Sequence, residues 1–104
     1  MATLHYISIR EFCDFHSIDT GLIDEIIEFG LFVPKERDKQ PCIPEEEIGT
    51  LETILRLHTE LGVNWAGIET ILYMRERLQQ LQQQKQELEQ QLREFQQFFE
   101  SGYR

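Results

Sequence analysis

With 104 residues, the chain has room for one small folded domain and one extended element, but not for two hydrophobic cores. It has 19 acidic residues against 10 lysines and arginines, and residues 1–73, with 14 acidic and 5 basic side chains, carry the whole net charge of −9. Such a surface repels nucleic acid and attracts a basic protein face, although it also serves solubility alone. No apolar run reaches membrane-spanning length and the first residues do not form a signal peptide, so we expect a cytoplasmic protein with ordinary thiols at Cys13 and Cys42.

Two short helices joined by a tight turn are predicted first. Ser8 and Glu11 form a capping box, which predicts a helix that ends near Phe15. Asp19 is predicted to cap a second helix that runs through Phe29 and stops at Gly30. The residues expected on its buried face are Leu22, Ile23, Ile26 and Ile27. The carboxylates expected to face solvent are Asp24, Glu25 and Glu28.

A polar segment and a third helix are predicted next. Residues 33–44 carry a proline at each margin, which is typical of a wing or an irregular hairpin. Pro44 and the three glutamates after it predict a third helix, which Gly62 ends. The inner face of this helix is predicted to comprise Ile48, Leu51, Ile54, Leu55 and Leu61. His58 is interpreted as a core or boundary residue, and Asn64 as the cap of a fourth helix.

The longest periodic stretch, from Ile68 to Phe99, predicts a coiled-coil helix. Its seam advances in steps of three and four residues and consists of Ile71, Met74, Leu78, Leu81, Lys85, Leu88, Leu92, Phe95 and Phe99. A polar helix with one apolar stripe needs a partner, which predicts a homodimer. A parallel pair would bring two Lys85 ammonium groups together, whereas an antiparallel pair sets Lys85 against Leu81 of the second chain, so we expect the antiparallel form. The alternative is a helix that packs against its own chain.

The predicted fold is mainly all-α. A helix-turn-helix domain occupies residues 1–73, with a short wing at about residues 33–44, followed by a dimerisation helix at residues 74–100 and a frayed tail at residues 101–104. This order of elements, including the segment Gly30-Leu31-Phe32-Val33-Pro34, resembles the MerR-type transcription regulators. The resemblance implies a winged helix-turn-helix domain followed by an antiparallel coiled-coil dimer.

Direct binding to nucleic acid is not expected, despite this resemblance. MerR regulators carry an Arg-Tyr-Tyr or similar run before the Gly-Leu pair, but here that stretch contains Asp24, Glu25 and Glu28, which would face the phosphates. Three basic residues of the wing are interleaved with Glu36 and Asp38. A DNA-binding regulator therefore remains the alternative interpretation, favoured by architecture alone.

Neither catalysis nor cofactor binding is predicted from the sequence. No spacing assembles a nucleophile, a base and an orienting group, and no glycine-rich phosphate loop is present. MerR metal sensors hold cysteine ligands at and beyond the start of the dimerisation helix, whereas this sequence has no cysteine after Cys42. We therefore predict a non-enzyme without a metal or a cofactor.

Two sequence blocks, residues 18–34 and residues 56–68, carry a closer resemblance. The second is the more specific because it contains Asn64-Trp65-Ala66-Gly67-Ile68 before a Leu- and Gln-rich helix. Together they are similar to the CbpM chaperone modulators. The resemblance implies a protein that binds the J-domain of CbpA, a DnaJ-like co-chaperone, blocks its work with the Hsp70 DnaK and opposes its DNA binding.

The J-domain-binding surface is predicted on the acidic side of the helix-turn-helix. Charge steers an encounter, while buried aromatic groups supply most of the affinity. The predicted residues are Asp14, Phe15, Asp19, Asp24, Glu25, Glu28 and Phe32. The alternative for each carboxylate is a solvated helix face. Trp65 belongs either to the domain core or to an interface, and burial is favoured for so large an aromatic side chain.

Overall fold

The computed structural model describes residues 5–102. Its elements, in chain order, are β1 (Tyr6–Ser8), α1 (Ile9–His16), α2 (Thr20–Phe29), β2 (Lys35–Arg37), β3 (Gln40–Pro44), α3 (Glu45–Thr59) and α4 (Trp65–Gly102). The chain divides into two compact units, the first ending at Glu69 and the second beginning at Thr70. The mainly helical fold with a winged helix-turn-helix and a long C-terminal helix is confirmed.

The two helices of the helix-turn-helix begin and end where the sequence predicts. Ser8 Oγ accepts a hydrogen bond from the Glu11 amide at 3.0 Å, and Asp19 Oδ1 accepts one from the Gly21 amide at 3.0 Å. Gly30 ends α2 in the left-handed region with φ 91°. Side-chain caps satisfy amides that have no partner inside the helix, and a left-handed residue lets the chain turn sharply away at the other end.

The wing is a regular antiparallel hairpin extended by an additional strand. β3 lies between β1 and β2, with Cys42 opposite Ser8 on one side and Lys35 on the other. Asp38 and Lys39 connect β2 to β3 with φ values of 53° and 62°. Two successive positive φ values are characteristic of a type I′ turn, which matches the twist of the flanking strands.

The core of the first unit draws on every one of its helices and on β3. Its fully buried apolar side chains include Phe12, Cys13, Ile23, Ile26, Ile43, Leu51, Ile54 and Ile68. The burial of Leu51, Ile54 and Leu55 on α3 is as predicted, but the prediction for Leu61 is wrong because this side chain is 72% exposed. Leu61 lies after the end of α3 at Thr59, in the turn that leads to α4.

A tight turn joins α3 to α4. Gly62 has φ 67°, and the Val63 amide donates to the Leu57 carbonyl oxygen at 3.0 Å. Asn64 Oδ1 then accepts a hydrogen bond from the Gly67 amide at 2.7 Å, which confirms Asn64 as the cap of α4.

The second unit consists of the greater part of α4. The apolar residues of the predicted seam are all exposed in the single chain, and Lys85 Nζ lies 3.7 Å from Glu89 Oε1 on the same helix. A frayed tail was predicted at residues 101–104, but Ser101 and Gly102 belong to α4. Tyr103 and Arg104 lie outside the described residues. Within residues 5–102, no helix is both long enough and apolar enough to cross a membrane.

Candidate partner-binding surface

The acidic surface, which we define as Asp14, Asp19, Asp24, Glu25 and Glu28, comprises residues of α1, of α2 and of the turn between them. On α2, Ile23 and Ile26 are fully buried, so the helical period turns the intervening carboxylates outward. All five carboxylate residues are exposed. The outward direction predicted for Asp24, Glu25 and Glu28 is therefore confirmed.

Three of these carboxylates raise the pKa of the buried Cys13 thiol. Burial raises the pKa of Cys13 above its ordinary value, and the negative charges of Asp14, Asp24 and Asp19 raise that pKa further. Cys13 is 2% exposed and packs as a small apolar residue, as predicted. The two helices and their connecting turn therefore bring negative charge together near the Cys13 end of α1.

The charges of the acidic surface are not neutralised within the first unit. Among the described residues, the contacts of this unit between a carboxylate and a basic side chain are His16 with Glu52, at 3.2 Å between Nε2 and Oε2, and Arg56 with Glu60, at 3.8 Å between Nε and Oε2. No member of the acidic surface takes part in either pair. Its carboxylates are therefore available to cations on another molecule.

Apolar side chains adjoin these charges. Phe15 is 81% exposed and its ring meets that of His16 edge-on, with 5.1 Å between the ring centroids. Phe29 and Val33, near the end of α2, are also exposed, although neither was predicted from the sequence to belong to the binding surface. Exposed aromatic and aliphatic groups beside unpaired charges are typical of protein-binding surfaces.

Phe32 does not belong to this surface. It was predicted as an apolar anchor, but only 7% of it is exposed and it forms part of the core of the first unit. Large aromatic residues are favourable core components because they remove much apolar area from water. Val33, the next residue along the chain, is exposed instead, so Phe32 does not act as an exposed apolar anchor beside the acidic surface.

The basic residues of the wing do not form a comparable positive surface. Lys35, Arg37 and Lys39 are exposed but are interleaved with the exposed carboxylates Glu36 and Asp38. Arg37 lies over the ring of Tyr6 with 5.0 Å between Cζ and the ring centroid.

Across residues 5–102, no group of three or more His, Cys, Asp or Glu side chains is arranged to hold a metal ion.

Fold and surface together define a class of protein, namely a winged helix-turn-helix domain followed by a long helix, with carboxylates on its second helix. Residues 7–90 match the family model described as "MerR HTH family regulatory protein", and the chain belongs to that family. It is also similar to the "Chaperone modulatory protein CbpM" of Pseudomonas entomophila (strain L48), with 28% identity over 76 residues that cover 72% of this chain and 75% of that protein. These comparisons confirm the resemblance to MerR-like proteins and to CbpM.

Proposed function

We propose that this protein is a chaperone modulator that binds the J-domain of a CbpA- or DnaJ-like co-chaperone and competes with Hsp70 (DnaK) for it. The observation that carries the proposal is the acidic surface, whose carboxylates are exposed and form no ion pair within the described residues. The similarity to a protein named for chaperone modulation supports it. J-domains present a basic helix to Hsp70, and this surface has the complementary charge.

The proposed mechanism is competitive masking. The carboxylates attract the basic helix and speed the encounter, since complementary charge acts mainly on the association rate. Phe15, Phe29 and Val33 then lose water against the partner and contribute most of the affinity. A J-domain helix covered in this way cannot engage Hsp70, and the same loss of exposed positive charge opposes DNA binding by the co-chaperone.

We also propose that the protein acts as a homodimer. The exposed apolar stripe of the second unit, from Ile71 to Phe99, would pair in antiparallel orientation with the same stripe of a second chain. In that arrangement Lys85 meets Leu81 of the second chain and its stem covers apolar surface while its ammonium group stays solvated. Each dimer then carries two acidic surfaces.

A DNA-binding regulator is the second candidate function, and membership of the MerR HTH family favours it. On a helix-turn-helix, the second helix usually reads the major groove. In this protein that helix presents Asp24, Glu25 and Glu28, which would meet phosphates without releasing counterions. Charge therefore supports the protein-binding function over this alternative.

Charge reversal on the acidic surface tests the proposal. The variant Asp24→Lys/Glu28→Lys is expected to weaken binding to the J-domain at low salt by about tenfold or more, because like charges then face each other. Glu36→Lys/Glu69→Lys makes the same change in net charge at exposed positions outside α1 and α2 and serves as the matched control. Equal affinities for the two variants would exclude the acidic surface as the binding site.

A further inference from the structure

A groove in the first unit lies between the end of α2 and α3. The segment from Gly30 to Val33 and the first part of α3 line a space of about 290 Å³. Its walls include Leu31, Phe32, Leu51 and Ile54, and the exposed Val33 forms part of its rim. Pockets for drug-sized ligands occupy roughly 300–1,000 Å³, so this groove is suited to a single long side chain.

Glu47 is the acidic residue that lines the groove. This residue lies in the first turn of α3 and its side chain lines the groove, but its Oε2 atom is buried and has no hydrogen-bond partner among the residues that the structure describes. Burial of a polar atom without a partner is unfavourable, and such atoms call for an explanation. The terminal torsion of a glutamate is soft, so the Glu47 carboxylate can reorient toward a donor without moving the backbone.

We propose that the groove is an anchor pocket for one lysine or arginine side chain of the bound J-domain. The alkyl stem of such a side chain packs on the apolar walls, and its cationic head donates hydrogen bonds to the Glu47 carboxylate. A cation is favoured over a neutral donor because Glu47 shares its helical turn with two more carboxylates, Glu45 and Glu46. This turn has no basic residue to compete for the site.

The position of the groove links it to the acidic surface. Gly30 directly follows α2, and Glu28 of the acidic surface is only two residues before it. A basic helix held on that surface can therefore place one side chain in the groove. This inference rests on the proposed function, because the anchoring side chain is taken to belong to the J-domain bound there.

Glu47→Gln tests the anchor, with Glu46→Gln as its matched control. Both substitutions remove one charge from the first turn of α3, but Glu46 is exposed and does not line the groove. In calorimetric titrations of the 104-residue protein into the isolated J-domain, we expect Glu47→Gln to weaken binding by about tenfold or more and Glu46→Gln by less than about threefold. Glu47→Gln should unfold at the same temperature as Glu46→Gln or higher, because Oε2 loses no internal partner.

A double-mutant cycle identifies the anchoring side chain. Each lysine and arginine of the J-domain is replaced in turn by alanine and measured against wild type, Glu47→Gln and Glu46→Gln. One replacement should lose most of its effect in the Glu47→Gln background and retain it in the Glu46→Gln background. Val33→Lys, which adds a competing cation at the exposed rim, should weaken binding, while Val33→Leu should not.

The outcomes separate the two proposals. Wild-type affinity in Glu47→Gln, or additive effects for every basic residue of the J-domain, would overturn the anchor pocket and leave the proposed function standing. If wild-type protein does not bind the J-domain, the proposed function fails and the anchor fails with it.

Discussion

His58 and Trp65 stack almost face to face across the turn between α3 and α4, with ring centroids 3.9 Å apart and an interplanar angle of 15°. His58 Nδ1 also donates a hydrogen bond to the Val63 carbonyl oxygen at 3.0 Å, which requires a proton on Nδ1. The His58 imidazole thus contacts both the backbone of the turn, at Val63, and the first residue of α4, Trp65. Trp65 is half-buried against this ring, between the core and interface positions considered from sequence.

The stack predicts a measurable coupling between the two rings. His58→Ala should lower the free energy of unfolding by about 1–2 kcal/mol, since it removes a hydrogen bond and a ring contact. In a double-mutant cycle with Trp65→Ala, the coupling should be about 1 kcal/mol. Leu61→Ala changes an exposed residue of the same turn and should cost no more than about 0.5 kcal/mol. Additive effects of the His58 and Trp65 substitutions in denaturant titrations would contradict this role.

Two glycines within helices should respond oppositely to alanine. A Cβ at Gly67 would lie 2.8 Å from Val63 Cγ1 and 3.0 Å from Asn64 Oδ1, the atom that caps α4. At Gly49, on the exposed face of α3, no atom lies within 4 Å of an added Cβ. We expect Gly49→Ala to stabilise the protein by about 0.5–1 kcal/mol, and Gly67→Ala to destabilise it by about 1–2 kcal/mol through loss of the cap. Stabilisation by both substitutions would mean that the α3–α4 turn has room for a methyl group.

Stability should decline in alkaline solution because of Cys13. Burial, and then Asp14, Asp24 and Asp19, raise the pKa of this thiol above its ordinary value of 9.0. The unfolded chain therefore releases this proton at a lower pH than the folded protein, so the free energy of unfolding falls as pH rises above about 9 and is unaffected by this thiol well below that value. Denaturant titrations of wild type and Cys13→Ala from about pH 7 to pH 10 should give a shallower decline for the variant. If the free energy of unfolding fell equally with pH in wild type and in Cys13→Ala, the decline could not be attributed to the Cys13 thiol.

The antiparallel seam predicts a specific pattern of crosslinks. In the proposed register Leu78 of one chain meets Leu88 of the other, while neither residue meets its own copy. Leu78→Cys and Leu88→Cys proteins should each remain uncrosslinked alone under mild oxidation and form a disulfide only when mixed. The buried Cys13 and Cys42 stay in place, and wild type is the control. Disulfide formation by either variant alone would favour a parallel pair.

Local signals in the sequence account for most helix boundaries. Ser8, Asp19 and Asn64 occupy cap positions, and Gly30 and Gly62 supply the left-handed residues at helix ends. These signals are readable because a cap or a terminal glycine acts within about four residues. The outward direction of the α2 carboxylates follows from the same short-range periodicity.

Features that depend on distant partners were harder to predict. β1 has only three residues and takes its hydrogen bonds from β3, far along the chain, so no local pattern marks it. The type I′ turn uses Asp38 and Lys39 in place of the usual Asn-Gly pair. Within the candidate site, Phe32 proved to be buried and Val33 exposed, because packing of the loop after α2 decides which side chain reaches the core. The buried Glu47 Oε2 atom without a hydrogen-bond partner among the described residues could not be predicted from the sequence, because its burial depends on tertiary packing.

Calorimetric titration of the 104-residue protein into the isolated J-domain of the CbpA-type co-chaperone from the same organism tests the central claim most directly. We predict saturable binding that weakens as salt rises, because exposed carboxylates meet a basic helix. The J-domain of DnaJ and a DNA duplex serve as parallel titrants and report selectivity and the alternative function. Absence of binding to the CbpA-type J-domain at low salt would contradict the account, and binding to DNA alone would identify a MerR-type regulator.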